Sequence, residues 1–107
     1  MEIGGHIYSL SNVQIGIHSD ETPDFIADLL LDGKPIGKAE NNGHGGMTDF
    51  YFDVPKERIE ELSGIERGLT AFTRVTYGGK DFKYHGFGEV AEELLFKNFS
   101  EKEIWRF

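Results

Sequence analysis

The sequence predicts an α+β fold in which one antiparallel sheet is covered on one face by helices. The first half of the chain contains runs that alternate apolar and polar residues, and two of these runs flank the hairpin signal Asp32-Gly33. The second half contains an apolar stripe at helical spacing. Strands that precede the helices, rather than alternating with them, are typical of the α+β class. With 107 residues and no cysteine, the chain is expected to form a single domain, 1–107, without disulfide bonds.

About four strands are predicted from the period-two alternation. In chain order they lie near 13–17, 24–31, 34–40 and 47–54. A two-residue turn at Asp32-Gly33 makes the second and third strands antiparallel neighbours and pairs Leu29 with Ile36. The side chains placed on the buried face by this register are Phe25, Ala27, Leu29, Leu31 and Ile36.

Three helices are predicted near 55–67, 87–97 and 101–106, packed on one face of the sheet. Proline suits a helix start, and Pro55 stands at the first of these. The second helix is defined by a stripe at i, i+3, i+4, i+7 and i+8, which consists of Phe87, Val90, Ala91, Leu94 and Leu95. Ser100 and Glu103 have the spacing of a capping box, which begins the third helix.

Residues 70–86 are compatible with two structures. If Gly78-Gly79 forms a turn, an added hairpin spans 71–85. One face of that hairpin would carry Val75, Tyr77, Phe82 and Tyr84. The alternative is an aromatic-rich surface loop.

The C-terminal aromatic residues Trp105 and Phe107 also have two interpretations. Either they dock the last helix onto the domain, or they form an apolar patch for a partner. The second interpretation includes a homo-oligomer held together through this aromatic tail.

The negative charge is concentrated in the first half of the chain. Residues 1–54 carry nine acids against Lys34 and Lys38, a net charge of −7, out of a total of −8. Direct binding of DNA or RNA needs clustered lysines and arginines, so nucleic acid is not expected as a direct partner. The acids are either a solvated surface or a patch that meets a basic protein surface.

A glycine-rich loop, Asn41-Asn42-Gly43-His44-Gly45-Gly46, joins the third and fourth strands. Five of its six residues are of types that tolerate a positive φ, so its backbone amides could face a partner beside one imidazole. His44 has two interpretations, a residue of a binding site or an ordinary surface histidine. The candidate binding residues are those of the loop and three nearby acids: Asn41, Asn42, Gly43, His44, Gly45, Gly46, Asp49, Asp28 and Glu40.

No catalytic or metal-binding pattern is present. The four histidines, His6, His18, His44 and His85, share no ligand spacing, and no serine lies in a nucleophile-elbow context. The glycine-rich loop leads into a strand, whereas dinucleotide and phosphate cradles lead into a helix. We therefore expect a protein that is not an enzyme and that holds no metal and no cofactor.

The start of the chain has no basic segment followed by an apolar one, and the longest purely apolar run has three residues, Leu29 to Leu31. A cytoplasmic location without membrane contact is the resulting expectation.

Three motifs in order give the chain a resemblance to a group of small bacterial, phage and mobile-element proteins without an assigned activity. The motifs are Asp32-Gly33-Lys34-Pro35-Ile36-Gly37, Asn42-Gly43-His44-Gly45-Gly46 and the aromatic strand Phe50-Tyr51-Phe52. In that group a DGKxxG hairpin is followed by an NxGxGG loop, and a helix similar to Phe87 to Phe96 comes near the end. The resemblance implies an accessory protein that acts on host machinery.

Two hypotheses from different classes follow. The first is a small acidic interaction protein, an accessory inhibitor of the anti-defence or anti-CRISPR kind, which binds a basic surface of a host nucleic-acid-binding complex. The second is a protein that binds a small nucleotide-like ligand through the glycine-rich loop, residues 42–46.

Overall fold

The computed structural model describes residues 1–75 and 81–105 and confirms the α+β class. Five strands form one antiparallel sheet, and each strand pairs with the next along the chain. They are β1 (Glu2–Ile3), β2 (His6–Ile15), β3 (Asp24–Leu31), β4 (Lys34–Asn42) and β5 (Asp49–Phe52). The prediction of about four strands misses the short β1, which forms a hairpin with β2.

Three helices follow the sheet as predicted. They are α1 (Lys56–Gly68), α2 (Phe87–Asn98) and α3 (Glu101–Ile104), with a 3-10 turn at Leu69–Ala71 after α1. The capping box is confirmed, since the Ser100 hydroxyl accepts from the Glu103 N–H at 3.3 Å and the Glu103 carboxylate accepts from the Ser100 N–H at 3.0 Å. None of the described helices has the length and apolar character needed to cross a bilayer.

One face of the sheet shares a single core with the helices. The buried apolar side chains from β2, β3 and β4 are Tyr8, Phe25, Ala27, Leu29, Leu31, Ile36 and Ala39. Those from the helices and the 3-10 turn are Leu62, Leu69, Phe87, Val90, Ala91, Leu94, Leu95 and Ile104. The predicted buried faces of the β3–β4 hairpin and of α2 are therefore confirmed. Burial of each large apolar side chain contributes roughly 1.5–3 kcal/mol to folding.

Phe87 lies at the centre of an aromatic cluster beneath β5. Its ring centroid is 5.2 Å from that of Phe50 and 6.1 Å from those of Phe52 and Tyr8. The two phenylalanine contacts are edge-to-face, the geometry that the ring quadrupoles favour. These contacts fix the start of α2 against β2 and β5.

Strand β2 begins at His6, well before the predicted strand near 13–17. A β-bulge lies between Ser11 and Gln14, and Asn12 takes a φ of 51° there. The bulge interrupts the alternation of inward and outward side chains, so the pattern is regular only on either side of it. Ile17, which the alternation places in the strand, lies beyond its end and is 68% exposed.

The predicted register of the β3–β4 hairpin is wrong by one residue beyond the turn. Leu31 pairs with Lys34 as expected, but Leu29 pairs with Gly37 rather than with Ile36. The difference arises from a β-bulge on β4, which adds one residue to that strand.

The bulge on β4 has a clear physical reason. Ile36 and Gly37 are both buried, and alternation then resumes with Lys38 and Glu40 exposed and Ala39 buried. In an unbroken strand Lys38 and Glu40 would share the buried face with Ile36, because side chains alternate strictly. The extra residue therefore keeps two charges out of the core.

Strands β6 (Thr73–Val75) and β7 (Asp81–Lys83) pair antiparallel, which confirms the hairpin alternative for 71–85. The prediction that Val75 and Phe82 share a face is wrong, because Phe82 pairs with Arg74 and Val75 pairs with Asp81. The predicted turn and Tyr77 lie outside the described residues.

The last helix docks onto the domain through its described residues. Ile104 is 1% exposed, and the Trp105 ring stacks on Phe96 at a centroid distance of 6.5 Å. This arrangement matches the docking interpretation of the tail, while Phe107 lies outside the described residues.

Gly88 marks a close approach between α2 and the segment that leads into β5. A Cβ atom added at Gly88 would lie 2.2 Å from the Thr48 carbonyl oxygen. The Thr48 hydroxyl also donates to Glu92 Oε2 at 2.8 Å, so the same segment is tied to the next turn of α2.

Gly88→Ala is expected to lower the free energy of unfolding by about 1–3 kcal/mol, because the added methyl group overpacks a backbone contact. Gly64→Ala on α1 is the matched control, since its nearest neighbour would be Arg67 Nη2 at 3.9 Å. The control should raise the free energy of unfolding by about 0.5–1 kcal/mol through helix propensity. Urea denaturation followed by circular dichroism measures both variants, and equal effects would contradict the close approach.

Candidate functional site

The outward side of β3, β4 and β5 forms a surface on the opposite side of the sheet from the helices, here called the open face. Its residues alternate along the strands with those of the core. They are Asp24, Ile26, Asp28, Leu30, Lys38, Glu40, Asp49 and Tyr51. Four acids and one lysine give this surface a formal charge of −3. The sheet thus gathers several acids of the acidic first half onto one side of the molecule.

Asp28 is the acid of the open face that forms an ion pair within the described part of the chain. Lys38 Nζ lies 2.8 Å from Asp28 Oδ1, and Asn12 Nδ2 donates to Asp28 Oδ2 at 2.7 Å. The hydrogen bond from Lys38, followed by that from Asn12, lowers the pKa of the Asp28 carboxyl. Asp28 is thus ionised at neutral pH, with much of its charge offset by Lys38.

Glu40 and Asp49 carry the negative charge that the open face presents to solvent. They lie opposite each other in the β4–β5 register, and both are exposed. Within the described part of the chain, neither forms an ion pair. The charge of Asp49, followed by partial desolvation and by Glu40, raises the pKa of the neighbouring Tyr51 phenol. The direction of that shift shows that Tyr51 stands in a field of negative charge.

Asn41 organises the glycine-rich loop from inside the protein. Its side-chain Oδ1 accepts from the Thr22 hydroxyl at 2.8 Å and from the Gly43 N–H at 2.9 Å. Its Nδ2 donates to the Gly46 carbonyl at 3.0 Å and to the Thr48 hydroxyl at 3.2 Å. Asn41 is 5% exposed. A buried amide with four partners shapes the loop and has little capacity left for a ligand.

The backbone amides of the loop are largely occupied. The N–H groups of Gly43, His44 and Gly45 donate, at 2.9, 3.1 and 3.1 Å, to side-chain oxygens of Asn41, Asn42 and Thr22 respectively. Gly43 and Gly45 take φ values of 86° and 95°, which glycine tolerates without strain. A ligand that used these amides would have to displace internal hydrogen bonds.

A cleft of about 600 Å³ lies between the loop and the adjoining end of the open face. Five of the nine predicted binding residues line it: Asn41, Asn42, Gly46, Glu40 and Asp49. Gly43, His44, Gly45 and Asp28 do not line it. The structure therefore separates the predicted residues into a group at the cleft and a group outside it, and His44 is an exposed residue of the second group.

Seven residues that are not among the predicted binding residues also line the cleft, and three of them have a polar or strongly exposed side chain. These three are Asp24, Gln14 and Met47, and Tyr51 stands beside the cleft on the open face. The alternation of the fourth strand places Tyr51 outward, next to Asp49, so the sequence could have identified it. The sequence could not identify Asp24, because its neighbours in the sheet depend on the two bulges.

The chemistry of the cleft is acidic. Asp24, Glu40 and Asp49 supply three carboxylates to its wall, and like charge repels a phosphate group. Among residues 1–75 and 81–105, no group of three or more histidines and acids has a metal-binding arrangement. The open face and the cleft together thus form a negatively charged region of the surface.

Comparison of the chain with known protein families, with characterised proteins and with solved structures finds no match.

Asn41→Ala is expected to lower the free energy of unfolding by about 2–3 kcal/mol, because it leaves several buried donors and acceptors without partners. Asn42→Ala is the matched control. It removes one exposed hydrogen bond, to the His44 N–H, and should cost under about 1 kcal/mol. Urea denaturation of both variants tests this difference. If Asn41→Ala lowered the free energy of unfolding by no more than Asn42→Ala does, Asn41 would not hold the loop together.

Proposed function

We propose that this chain is a small acidic interaction protein, without enzymatic activity, that binds a basic surface of a host nucleic-acid-binding protein complex. Binding there would block the groove that nucleic acid uses, as an accessory inhibitor carried by a phage or mobile element would do. The contact surface is the open face, with Glu40 and Asp49 as its principal charges. The protein would act in the cytoplasm.

The observation that carries this proposal is two adjacent carboxylates, Glu40 and Asp49, on the sheet face opposite the described helices. Glu40 and Asp49 adjoin in register, and neither forms an ion pair among the described residues, since the neighbouring Lys38 is paired with Asp28. Charges arranged in this way steer a partner of opposite sign and set the orientation of binding. Asp28, already paired with Lys38, would contribute less.

Exposed apolar side chains beside the acids also support a protein partner. Tyr51 is 55% exposed on the open face, and Met47 is 73% exposed at the cleft. Tyrosine and methionine are enriched at protein interfaces, where an apolar centre excludes water and a charged rim gives specificity. The resemblance to accessory proteins of phages and mobile elements agrees with this role.

The alternative, a nucleotide-like ligand held by residues 42–46, receives less support. The amides of Gly43, His44 and Gly45 already have internal acceptors, and the neighbouring cleft is lined by carboxylates. Its remaining support is the cleft volume, which suits a small molecule.

The test compares capture of host proteins by the parent and by the double variant Glu40→Gln/Asp49→Asn. Basic nucleic-acid-binding proteins should be captured by the parent, and their affinity should fall by about tenfold or more when two interfacial charges are removed. Quantitative mass spectrometry of immobilised-protein capture from host lysate measures the change. Binding should also weaken steeply as salt rises, because exposed charges are screened.

Glu60→Gln/Glu61→Gln on α1 is the matched control, since both side chains are exposed and the net charge changes by the same amount. This control should capture the same partners as the parent. Capture that survives Glu40→Gln/Asp49→Asn, or that falls equally in the control, would refute the open face as the binding surface.

A further inference from the structure

The outer edge of β5 borders the open face and determines which backbone conformation a partner segment would need there. In the sheet order β5 is the last strand, and in the described part of the chain no strand lies on its far side. An edge strand presents backbone N–H and C=O groups that can pair with another chain. Which groups point outward follows from the hydrogen-bond pattern between β4 and β5.

Antiparallel pairs alternate between those that exchange hydrogen bonds and those that do not. The Asp53 N–H donates to the Ile36 carbonyl at 3.1 Å, so this pair is hydrogen-bonded. From Asp53, every second residue of β5 is hydrogen-bonded to β4 in the same way, which makes Tyr51 and Asp49 the bonded residues. The N–H and C=O groups of Phe50 and Phe52 therefore point away from β4.

A second observation gives the same orientation. A Cβ atom added at Gly37 would lie 2.2 Å from the Tyr51 carbonyl oxygen, so that carbonyl points toward β4. The carbonyls of the flanking Phe50 and Phe52 point to the opposite side, since successive carbonyls alternate in a strand. The edge thus offers two N–H donors and two C=O acceptors, spaced two residues apart.

The side chains of β5 alternate between the open face and the core side of the sheet. Asp49 and Tyr51 are exposed on the open face, and Asp53 continues the exposed positions. Phe50 and Phe52 are half-buried, with their rings against Phe87. A strand added at this edge would meet acids and a tyrosine on one face and phenylalanine on the other.

A second copy of this chain is a poor occupant of the edge. Two copies of β5 paired antiparallel about Tyr51 would set Asp49 against Asp53 of the other copy on both sides of the centre. Like charges directly opposite each other destabilise a strand pair, and each copy also carries a net charge of −8. Charge complementarity favours a basic strand instead.

We propose that the partner adds an extended segment to the outer edge of β5, with basic and apolar residues in strict alternation. The basic side chains lie opposite Asp49, Tyr51 and Asp53, and arginine opposite Tyr51 stacks on the exposed ring. The apolar side chains lie opposite Phe50 and Phe52, whose N–H and C=O groups bond to the added backbone. This inference rests on the proposed function, since it uses the same acidic face, and it adds a requirement for a strand.

The probe is a capped synthetic peptide, Arg-Val-Arg-Val-Arg, titrated into the full chain and followed by calorimetry and amide NMR shifts. In an antiparallel pairing the valine N–H groups donate to Phe50 and Phe52, whereas the arginine N–H groups point away. N-methylation of both valine nitrogens should therefore weaken binding by about tenfold or more, since each lost hydrogen bond contributes to affinity. N-methylation of the backbone nitrogens of the arginines leaves the guanidinium charges and the valine hydrogen bonds intact. It should change the affinity by less than about threefold.

A peptide of the same composition in the order Arg-Arg-Arg-Val-Val controls for charge alone. Weaker binding of this peptide and of the valine-methylated one supports strand addition. Equal binding of all the peptides, lost at high salt, would overturn strand addition while leaving the acidic surface as a binding face. Failure of every peptide to bind at low salt would also overturn it, and the proposed function would then be decided separately by the Glu40→Gln/Asp49→Asn capture experiment.

Discussion

The contacts of the Phe87 ring hold β5 and the open face in place. The ring joins the first turn of α2 to Tyr8 on β2 and to Phe50 and Phe52 on β5, at centroid distances of 5.2 to 6.1 Å. Because Phe50 and Phe52 turn inward to meet it, the residues between and beside them must turn outward. The exposure of Tyr51 and Asp49 on the open face is thus a direct consequence of core packing.

Two β-bulges decide the composition of the open face. Each inserts one residue where an unbroken strand would carry polar or charged side chains into the core. The bulge on β4 keeps Lys38 and Glu40 outside and at the same time turns Asn41 inward, where it becomes the centre of the loop network. One local irregularity therefore produces both the acidic surface and the buried amide that shapes the loop beside it.

The local features of the fold could be predicted from sequence, because each depends on a few neighbouring residues. The turn at Asp32-Gly33, the stripe of α2 and the capping box at Ser100 are features of this kind. The bulges could not be predicted. Each keeps polar or charged side chains out of the core, and this requirement is apparent only when the opposite strand and the core are considered together. For the same reason the sequence indicates only that the loop amides could face a partner, whereas Thr22, some 20 residues earlier in the chain, supplies one of their acceptors.

β5 is an edge strand whose outward hydrogen-bonding groups belong to Phe50 and Phe52. Amide hydrogen exchange of the free protein, followed residue by residue by NMR, tests this arrangement without any partner. Tyr51 should exchange slowly, because its N–H is bonded to β4, while Phe50 and Phe52 on either side of it should exchange much faster. Equal protection of all three amides would contradict this arrangement, since it would mean that the outer edge of β5 is already paired.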